Sequence, residues 1–306
     1  MPTSSIPLKI LVGYDGSEHS RAALTLLCDL CAREDAPPAG QVHLLAVFTP
    51  LMAGDQGPLR EALEKARADL EDRCFQVSSD FVLGYPAEQL MLHADELHPD
   101  LIVIGARGLR SALGILLGGV AQHVVEYASC PVLAVRAPYL GLQRILLVTD
   151  GSIYGEKATE YLARFPIPLE SQVEVMHVLP PLPLTPSSEF YARTYPLAPE
   201  VLPVYPKEPT PEELAWQEDE EKHGKQILDQ SIELLRSRGV EAHPVMLRGD
   251  AAKEIIEYAK EHHVNMIVSG SRGLSQFKGW LLGSVSRKLV HYSDCSVLVV
   301  KSRIEP

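Results

Sequence analysis

The sequence has little that would staple it, anchor it in a membrane or fit it to a polyanion. Five cysteines among 306 residues are an odd and sparse set, which gives no disulfide framework. Cys28 and Cys31 form a C-x2-C, but they lie in an apolar helical run at 22–31 with no second pair at metal spacing, and read as structural thiols. No apolar run reaches the roughly 18 residues of a membrane helix. The first nine residues lack the basic and apolar segments of a secretion signal, so a cytoplasmic protein without membrane insertion is expected. Lys and Arg (28) are outnumbered by Asp and Glu (40), and a net charge of -12 leaves no basic stripe for counterion release, so no nucleic acid partner is expected. There is no G-x4-G-K-[ST], no G-x-S-x-G and no H-E-x-x-H, which removes motor-type NTPases, serine hydrolases and zincins. His262 and His263 are adjacent, and neighbours in a helix do not share a face, so they do not make a metal pair.

What is present is an ordinary core-forming composition, 46% hydrophobic and 22% charged, over about two domain lengths of roughly 150 residues. The chain is also written twice. Ile10-Leu11-Val12-Gly13-Tyr14-Asp15-Gly16-Ser17 returns as Ile145-Leu146-Leu147-Val148-Thr149-Asp150-Gly151-Ser152, and residues 101–136 align with 266–301 at 17 identities in 36 gapless positions. Two domains, 1–140 and 141–306, follow. Each alternates short apolar or β-branched runs with helical patterns, the mark of βα units building a parallel, doubly wound sheet. Strands are predicted at 8–15, 41–48, 76–83, 100–105 and 131–136, then at 143–150, 172–179, 240–247, 266–270 and 296–301. Helices are predicted at 20–33, 59–74, 86–97 and 119–128, with Pro86 at a permitted first-turn position. Copy two carries about thirty extra residues, placed at 180–211, where ten prolines predict an irregular excursion, a lid or a plain surface loop. The acidic run 212–221 after it reads as the solvated first turns of a helix.

In a doubly wound sheet, ligands lie beyond the carboxyl ends of the strands, where strand order reverses. Two glycine-bearing segments per copy fall there. The first strand ends in Asp15-Gly16-Ser17 or, after Thr149, in Asp150-Gly151-Ser152. The fourth ends in Gly105-Ala106-Arg107-Gly108 or Gly270-Ser271-Arg272-Gly273, followed nine residues on by Gly118-Gly119-Val120 or Gly283-Ser284-Val285 at a helix start. Glycines let backbone N–H groups approach an anion, and a helix N-terminus offers unpaired donors, so a triphosphate fits between the two clusters. Arg107 and Arg272 would add a charged fork, Ser284 and Ser286 hydroxyl donors, and Asp15 or Asp150 an acceptor for a nucleoside or a site for its cation. Val47 and Val178 mark an apolar slot for adenine. Each feature singly also reads as a turn, a cap or a solvated arginine; their recurrence in one order is what favours a nucleotide.

The pattern G-x2-G-x9-G-[ST], complete at Gly270, Gly273, Gly283 and Ser284, together with Asp-Gly-Ser after the first strand and a Cys-x-Val-Leu last strand, resembles the universal stress protein family in tandem. The resemblance implies a five-stranded parallel sheet of order 3-2-1-4-5 in each domain, flanked by helices. It implies ATP with Mg2+ or Mn2+ at the motif, Asp150 being the residue nearest in kind to a cation ligand. It also implies pairing of domains along their last strands, here an internal pseudo-dimer, with a homodimer of whole chains as a further option. Copy one departs from the pattern: Gly119 stands where the family has Ser or Thr, and Ala121 stands where copy two has Ser286. Each hydrogen bond to a charged phosphate is worth about 1.5–3 kcal/mol. The first site is therefore expected to be weaker by one to several decades.

The reading that follows is an ATP-binding stress-response or signalling module acting through an unidentified protein partner. The alternatives are an interaction scaffold with empty sites, and an enzyme of the adenine nucleotide α-hydrolase superfamily. No residue is placed as a base for water at a γ-phosphate, so at most slow ATP hydrolysis is expected.

Overall fold

The computed structural model describes residues 8–30, 40–49, 55–73, 75–109, 117–182, 210–273 and 282–301. Most of the proline-rich insertion and Cys31 lie outside the described residues. The first half runs β1 (Leu8–Gly13), α1 (Glu18–Leu30), β2 (Gly40–Phe48), α2 (Gly57–Glu71), β3 (Phe75–Leu83), α3 (Pro86–Leu97), β4 (Leu101–Gly105), α4 (Gly119–Tyr127) and β5 (Val132–Val135). The second runs β6 (Arg144–Val148), α5 (Ile153–Leu162), β7 (Gln172–Leu179), α6 (Pro211–Ser237), β8 (Ala242–Arg248), α7 (Ala251–Glu261), β9 (Met266–Gly270), α8 (Ser284–Tyr292) and β10 (Ser296–Val300).

Strands form because the apolar residues come in short β-branched runs buried on both faces. β4 and β5 show this, with Leu101, Val103, Leu133 and Val135 in the core on one side of the sheet, and Ile102, Ile104, Val132 and Ala134 in the core on the other. Helices α1, α2, α5 and α6 cover the first face, and α3, α4, α7 and α8 the second. Strand order is β3-β2-β1-β4-β5 in one half and its mirror in the other, so the whole is one ten-stranded sheet, β3-β2-β1-β4-β5-β10-β9-β6-β7-β8. All neighbours within a half are parallel. The join is antiparallel, with Leu298 opposite Leu133.

Several ends differ from the sequence reading, and each has a local cause. β1 and β6 stop two residues short of the predicted 15 and 150, because those aspartates turn the chain: their Oδ1 atoms accept the N–H of Ser17 and Ser152 at 3.0 Å. β8 begins at Ala242 rather than 240, because the Val240 N–H still caps α6 through the Leu235 carbonyl. The acidic run is the start of a 27-residue helix, α6, fixed by a capping box in which Thr210 and Glu213 exchange side-chain and backbone bonds.

The join between halves is reinforced reciprocally. Arg136, just past β5, donates to the Val290 carbonyl at the C-terminus of α8 at 2.9 Å, while Lys301, just past β10, donates to the Glu126 and Ala128 carbonyls at the C-terminus of α4 at 2.9 and 2.8 Å. Each half places a cation on the negative end of the other's last helix. No helix among the described residues is long and apolar enough to cross a membrane.

Candidate functional site

At the carboxyl ends of the strands the two halves build the same frame. Gly16 and Gly151 take positive φ (75° and 74°) in the turn after the first strand. The next serine begins the helix: Ser152 Oγ accepts the Gly155 N–H at 3.3 Å, and Ser17 Oγ accepts the Ser20 N–H at 3.2 Å. Ser17 Oγ also donates to the Arg107 carbonyl at 3.3 Å, and Asp15 Oδ2 accepts the Leu109 N–H at 3.1 Å. In the first half the Asp-Gly-Ser turn is thus a clip between the first and fourth strands before it is anything else.

The glycines after the fourth strand answer to packing. A Cβ on Gly270 would lie 2.5 Å from the Tyr154 carbonyl oxygen, and one on Gly105 would lie 2.9 Å from the Ser20 nitrogen, because the first helix of each half presses onto that strand end. A Cβ on Gly273 or Gly108 would lie 2.5 or 2.7 Å from the Oδ2 of Asp150 or Asp15. Gly283 and Gly118 donate their N–H groups to the Ser271 and Ala106 carbonyls at 2.8 Å and serve as N-caps of α8 and α4 with no side-chain cap bond. Among the described residues the first-turn N–H groups of those helices therefore have no side-chain cap, and they sit at the positive end of the helix dipole.

A cavity of about 310 Å3 lies at this place in the first half and one of about 240 Å3 in the second. Asp15, Val47, Gly105, Arg107, Gly108, Gly118, Gly119 and Val120 all line the first. Thr149, Asp150, Val178, Gly270, Arg272, Gly273, Gly283, Ser284, Val285 and Ser286 all line the second. Among the walls the sequence did not offer are Tyr14, Leu45, Pro86 and Leu90 in one, and Met176, Ala251, Ile255 and Ser269 in the other. Leu45, Pro86 and Leu90 stand at the repeat positions of Met176, Ala251 and Ile255, while Tyr14 and Ser269 stand at those of Thr149 and Ile104, so the internal alignment is the signal that pairs them.

The frames match, but their linings do not. Thr149, Ser269, Ser284 and Ser286 line the second crevice where Tyr14, Ile104, Gly119 and Ala121 line the first. Of these hydroxyls, Ser286 Oγ donates its hydrogen to the Gly270 carbonyl at 2.7 Å, so it does not offer the donor expected of it. Thr149 Oγ1 accepts the Gly151 N–H at 3.3 Å. Ser269 Oγ is buried without a hydrogen bond, and Ser284, at the first position of α8, is exposed. In the first crevice, burial pushes the Tyr14 phenol up, against the pull of Arg21, so it stays neutral. The arginines are placed differently from the simple fork: Arg272 donates to the Tyr154 hydroxyl at 3.2 Å with its guanidinium 5.6 Å over that ring, and Arg107 Nε is buried without a partner.

Comparison with known proteins agrees with the repeat. The universal stress protein family profile matches twice, over residues 8–136 and 141–301. Universal stress protein YxiE of Bacillus subtilis is 32% identical over 158 residues, covering 52% of this chain and 98% of its own length. A universal stress protein of Mycolicibacterium smegmatis is 26% identical over 325 residues, spanning 99% of this chain and 100% of its own. The crystal structure of a universal stress protein from Archaeoglobus fulgidus superposes with a TM-score of 0.63 at 21% identity over 96% of this chain and 98% of that one, a likeness of fold. With the family's sequence pattern matched in each half and its fold matched across both, this chain belongs to the universal stress protein family as two domains in tandem.

Proposed function

We propose that the second crevice binds an adenine nucleotide, ATP above all, and that occupancy serves a stress-response or signalling role by biasing which conformation or protein partner the chain favours. The observation that carries this reading is the uncapped N-terminus of α8 opening on a cavity that Gly273 and Asp150 also line. The residues suit the ligand. The backbone N–H groups of Ser284, Val285 and Ser286 and the Ser284 hydroxyl are donors for a polyphosphate, while Val178, Met176 and Ile255 supply an apolar slot for a base. Asp150 is the lining carboxylate, suited to a ribose hydroxyl or to the cation. A Mg2+ or Mn2+ ion held mainly by phosphates would neutralise charge there. Asp150 and Arg272 are the ionisable side chains among the described lining residues, and with Asp150 assigned to the ribose or the cation rather than to a water at the γ-phosphate, hydrolysis is expected to be slow at most.

The first crevice supports a weaker site. It keeps the backbone donors of α4 but lines them with Gly119, Ile104 and Ala121, without a serine or threonine hydroxyl. That lining favours the scaffold reading for this half: a pocket retained by packing and used little or not at all for nucleotide.

The test is calorimetric titration of ATP-Mg2+ into the whole chain, because separated halves would expose β5 and β10 as open edges and lose the Arg136 and Lys301 caps. One dominant site, weakened by Ser284→Ala, is expected. No binding by the wild type, or binding indifferent to Ser284→Ala and lost on changing Gly119, would overturn the assignment.

A further inference from the structure

We propose that His43, Asp80 and His93 form a binding site for one zinc ion, which staples α3 to strands β2 and β3 in the first half only. The proposal is independent of the nucleotide reading. The three residues come from three elements that the fold brings together. His43 on β2 pairs in register with Ser78, and Asp80 stands two residues further along β3, on the same face of the sheet by the two-residue period. On that face α3 packs, presenting His93 one turn after Gln89. His43 Nε2 lies 3.2 Å from Asp80 Oδ2, and His93 Nε2 lies 3.8 Å from the same oxygen. The ligand atoms of all three are within 4.8 Å of one another. Metal–ligand bonds of about 2.0–2.2 Å at a tetrahedral centre set neighbouring ligands roughly 3.4 Å apart, close to the 3.2 and 3.8 Å that separate the two imidazole nitrogens from the Asp80 oxygen.

The outer hydrogen bonds point the same way. His93 Nδ1 is 2.8 Å from the Gln89 carbonyl oxygen, which can only accept, so Nδ1 carries the hydrogen and the neutral ring presents a lone pair at Nε2. His43 Nδ1 is held by Ser78 Oγ at 2.8 Å. Its Nε2 is buried and makes no hydrogen bond, although the carboxylate is close by. A backbone carbonyl or hydroxyl behind each imidazole is the usual second layer of a metal centre, since it fixes tautomer and ring orientation. The arrangement aims two imidazole nitrogens at one carboxylate oxygen, and a cation between them satisfies all three. The two histidine side chains are 14% and 16% exposed and that of Asp80 55%, so the remaining coordination position faces solvent and water can fill it. Two imidazoles and one carboxylate suit zinc better than the oxygen-seeking Mg2+ or Ca2+.

The second half provides the internal control. At the positions of His43 and His93 it has Glu174 and Tyr258, joined by a direct hydrogen bond of 3.0 Å from the phenol to the carboxylate, and Asp80 corresponds to Val245. A helix-to-sheet link at this place needs no histidine. The first half replaces that link with three metal-ligand side chains. Because Pro86 and Leu90 on the same helix line the first crevice, the ion would also hold that wall in place.

The experiment is equilibrium dialysis of the whole chain against micromolar zinc, with metal analysis and thermal unfolding. One zinc per chain and a raised Tm are expected for the wild type. His43→Gln and His93→Gln are each expected to lose more than about tenfold in affinity, the scale on which even outer-layer changes act, together with the zinc-induced rise in Tm. His223→Gln, an exposed residue of α6, should change neither. Zinc uptake equal in His93→Gln and wild type, or no uptake by the wild type, overturns the proposal. Should the histidine variants fail to fold, Co2+ decides on the wild type: visible tetrahedral absorption with broadened His43 and His93 ring resonances supports the site, and their absence rejects it.

Discussion

The two crevices share a backbone and differ in their hydroxyls, which separates what the fold requires from what a ligand would require. The glycine pattern recurs in both halves because each copy has the same collisions to avoid: Gly270 with Tyr154 and Gly105 with Ser20, then Gly273 with Asp150 and Gly108 with Asp15. Those contacts must be kept whether or not anything binds. Gly119 is different. Nothing lies within 4 Å of where its Cβ would be, so packing does not exclude a side chain there, and the serine of the other half is absent for some other reason. A glycine motif therefore marks the fold, and under the proposed function the residues that packing leaves open, Ser284 against Gly119, are where a strong site and a weak one would differ.

The largest effect should come from the packing glycines. Gly270→Ala puts a methyl group against backbone that cannot rotate away, with the carbonyl oxygen at 2.5 Å and its carbon at 2.7 Å. A loss of about 3 kcal/mol, the upper end for overpacking, is expected in urea unfolding, with less for Gly105→Ala. If either alanine left stability intact and removed only nucleotide affinity, the division between fold and ligand residues would fail. Next comes Ser284→Ala, which should weaken ATP by about tenfold or more, the worth of one hydrogen bond to a charged group. Its Tm without ligand should hold, because Ser284 is exposed and makes no cap bond. The reverse change, Gly119→Ser, is expected to strengthen the first site by a smaller factor, up to about tenfold, since Ile104 and Ala121 still line the pocket. A titration showing two sites of more similar affinity in Gly119→Ser would bear this out; an unchanged isotherm would show that the weakness of the first crevice lies in its apolar lining.

Much of this was legible in the sequence because it is periodic or local. Short apolar runs, the Asp-Gly-Ser turns, Pro86 at the start of α3 and the acidic entry to α6 are written within a few residues of where they act. The pairing of β5 with β10 came only from family resemblance, since both strands are uniformly buried apolar runs that name no partner, and its antiparallel sense came from the structure. What could not be read depends on residues far apart in the chain. Ser286 looked like a phosphate donor, and only the fold shows that its hydrogen reaches Gly270, 16 residues away. His43, Asp80 and His93 follow no metal-ligand spacing, because a strand, its edge neighbour and the next helix deliver one residue each.

The smallest expected effect concerns the reciprocal caps, where the halves again use one geometry with different chemistry. Arg136 and Lys301 both sit under the partner domain's helix end, and burial lowers the proton affinity of both. The guanidinium starts so high that it remains charged at any working pH. Lys301 is pushed down to about 8 from its ordinary 10.5, chiefly by desolvation and partly by Arg272, with Cys130 and Glu126 opposing. The folded state thus holds this proton less tightly than the unfolded chain, and the unfolded chain binds more protons between those two values. Stability from this group is accordingly full above the unfolded value and is lost as pH falls through about 8. Raising the pH from neutrality towards 9.5 should lift the Tm of the wild type relative to Lys301→Arg by roughly 2–4 °C, the size of a 1 kcal/mol change in a chain of this scale. The comparison must be made as a difference between the two proteins, because other groups titrate in both. Tyr258, whose phenol burial and Glu174 push up to about 12, is one of them, and it acts in the opposite sense at higher pH. A difference in Tm that stayed constant from neutrality to pH 9.5 would mean that the Lys301 ammonium is as well solvated as a surface lysine, and that the two halves hold one another by geometry alone.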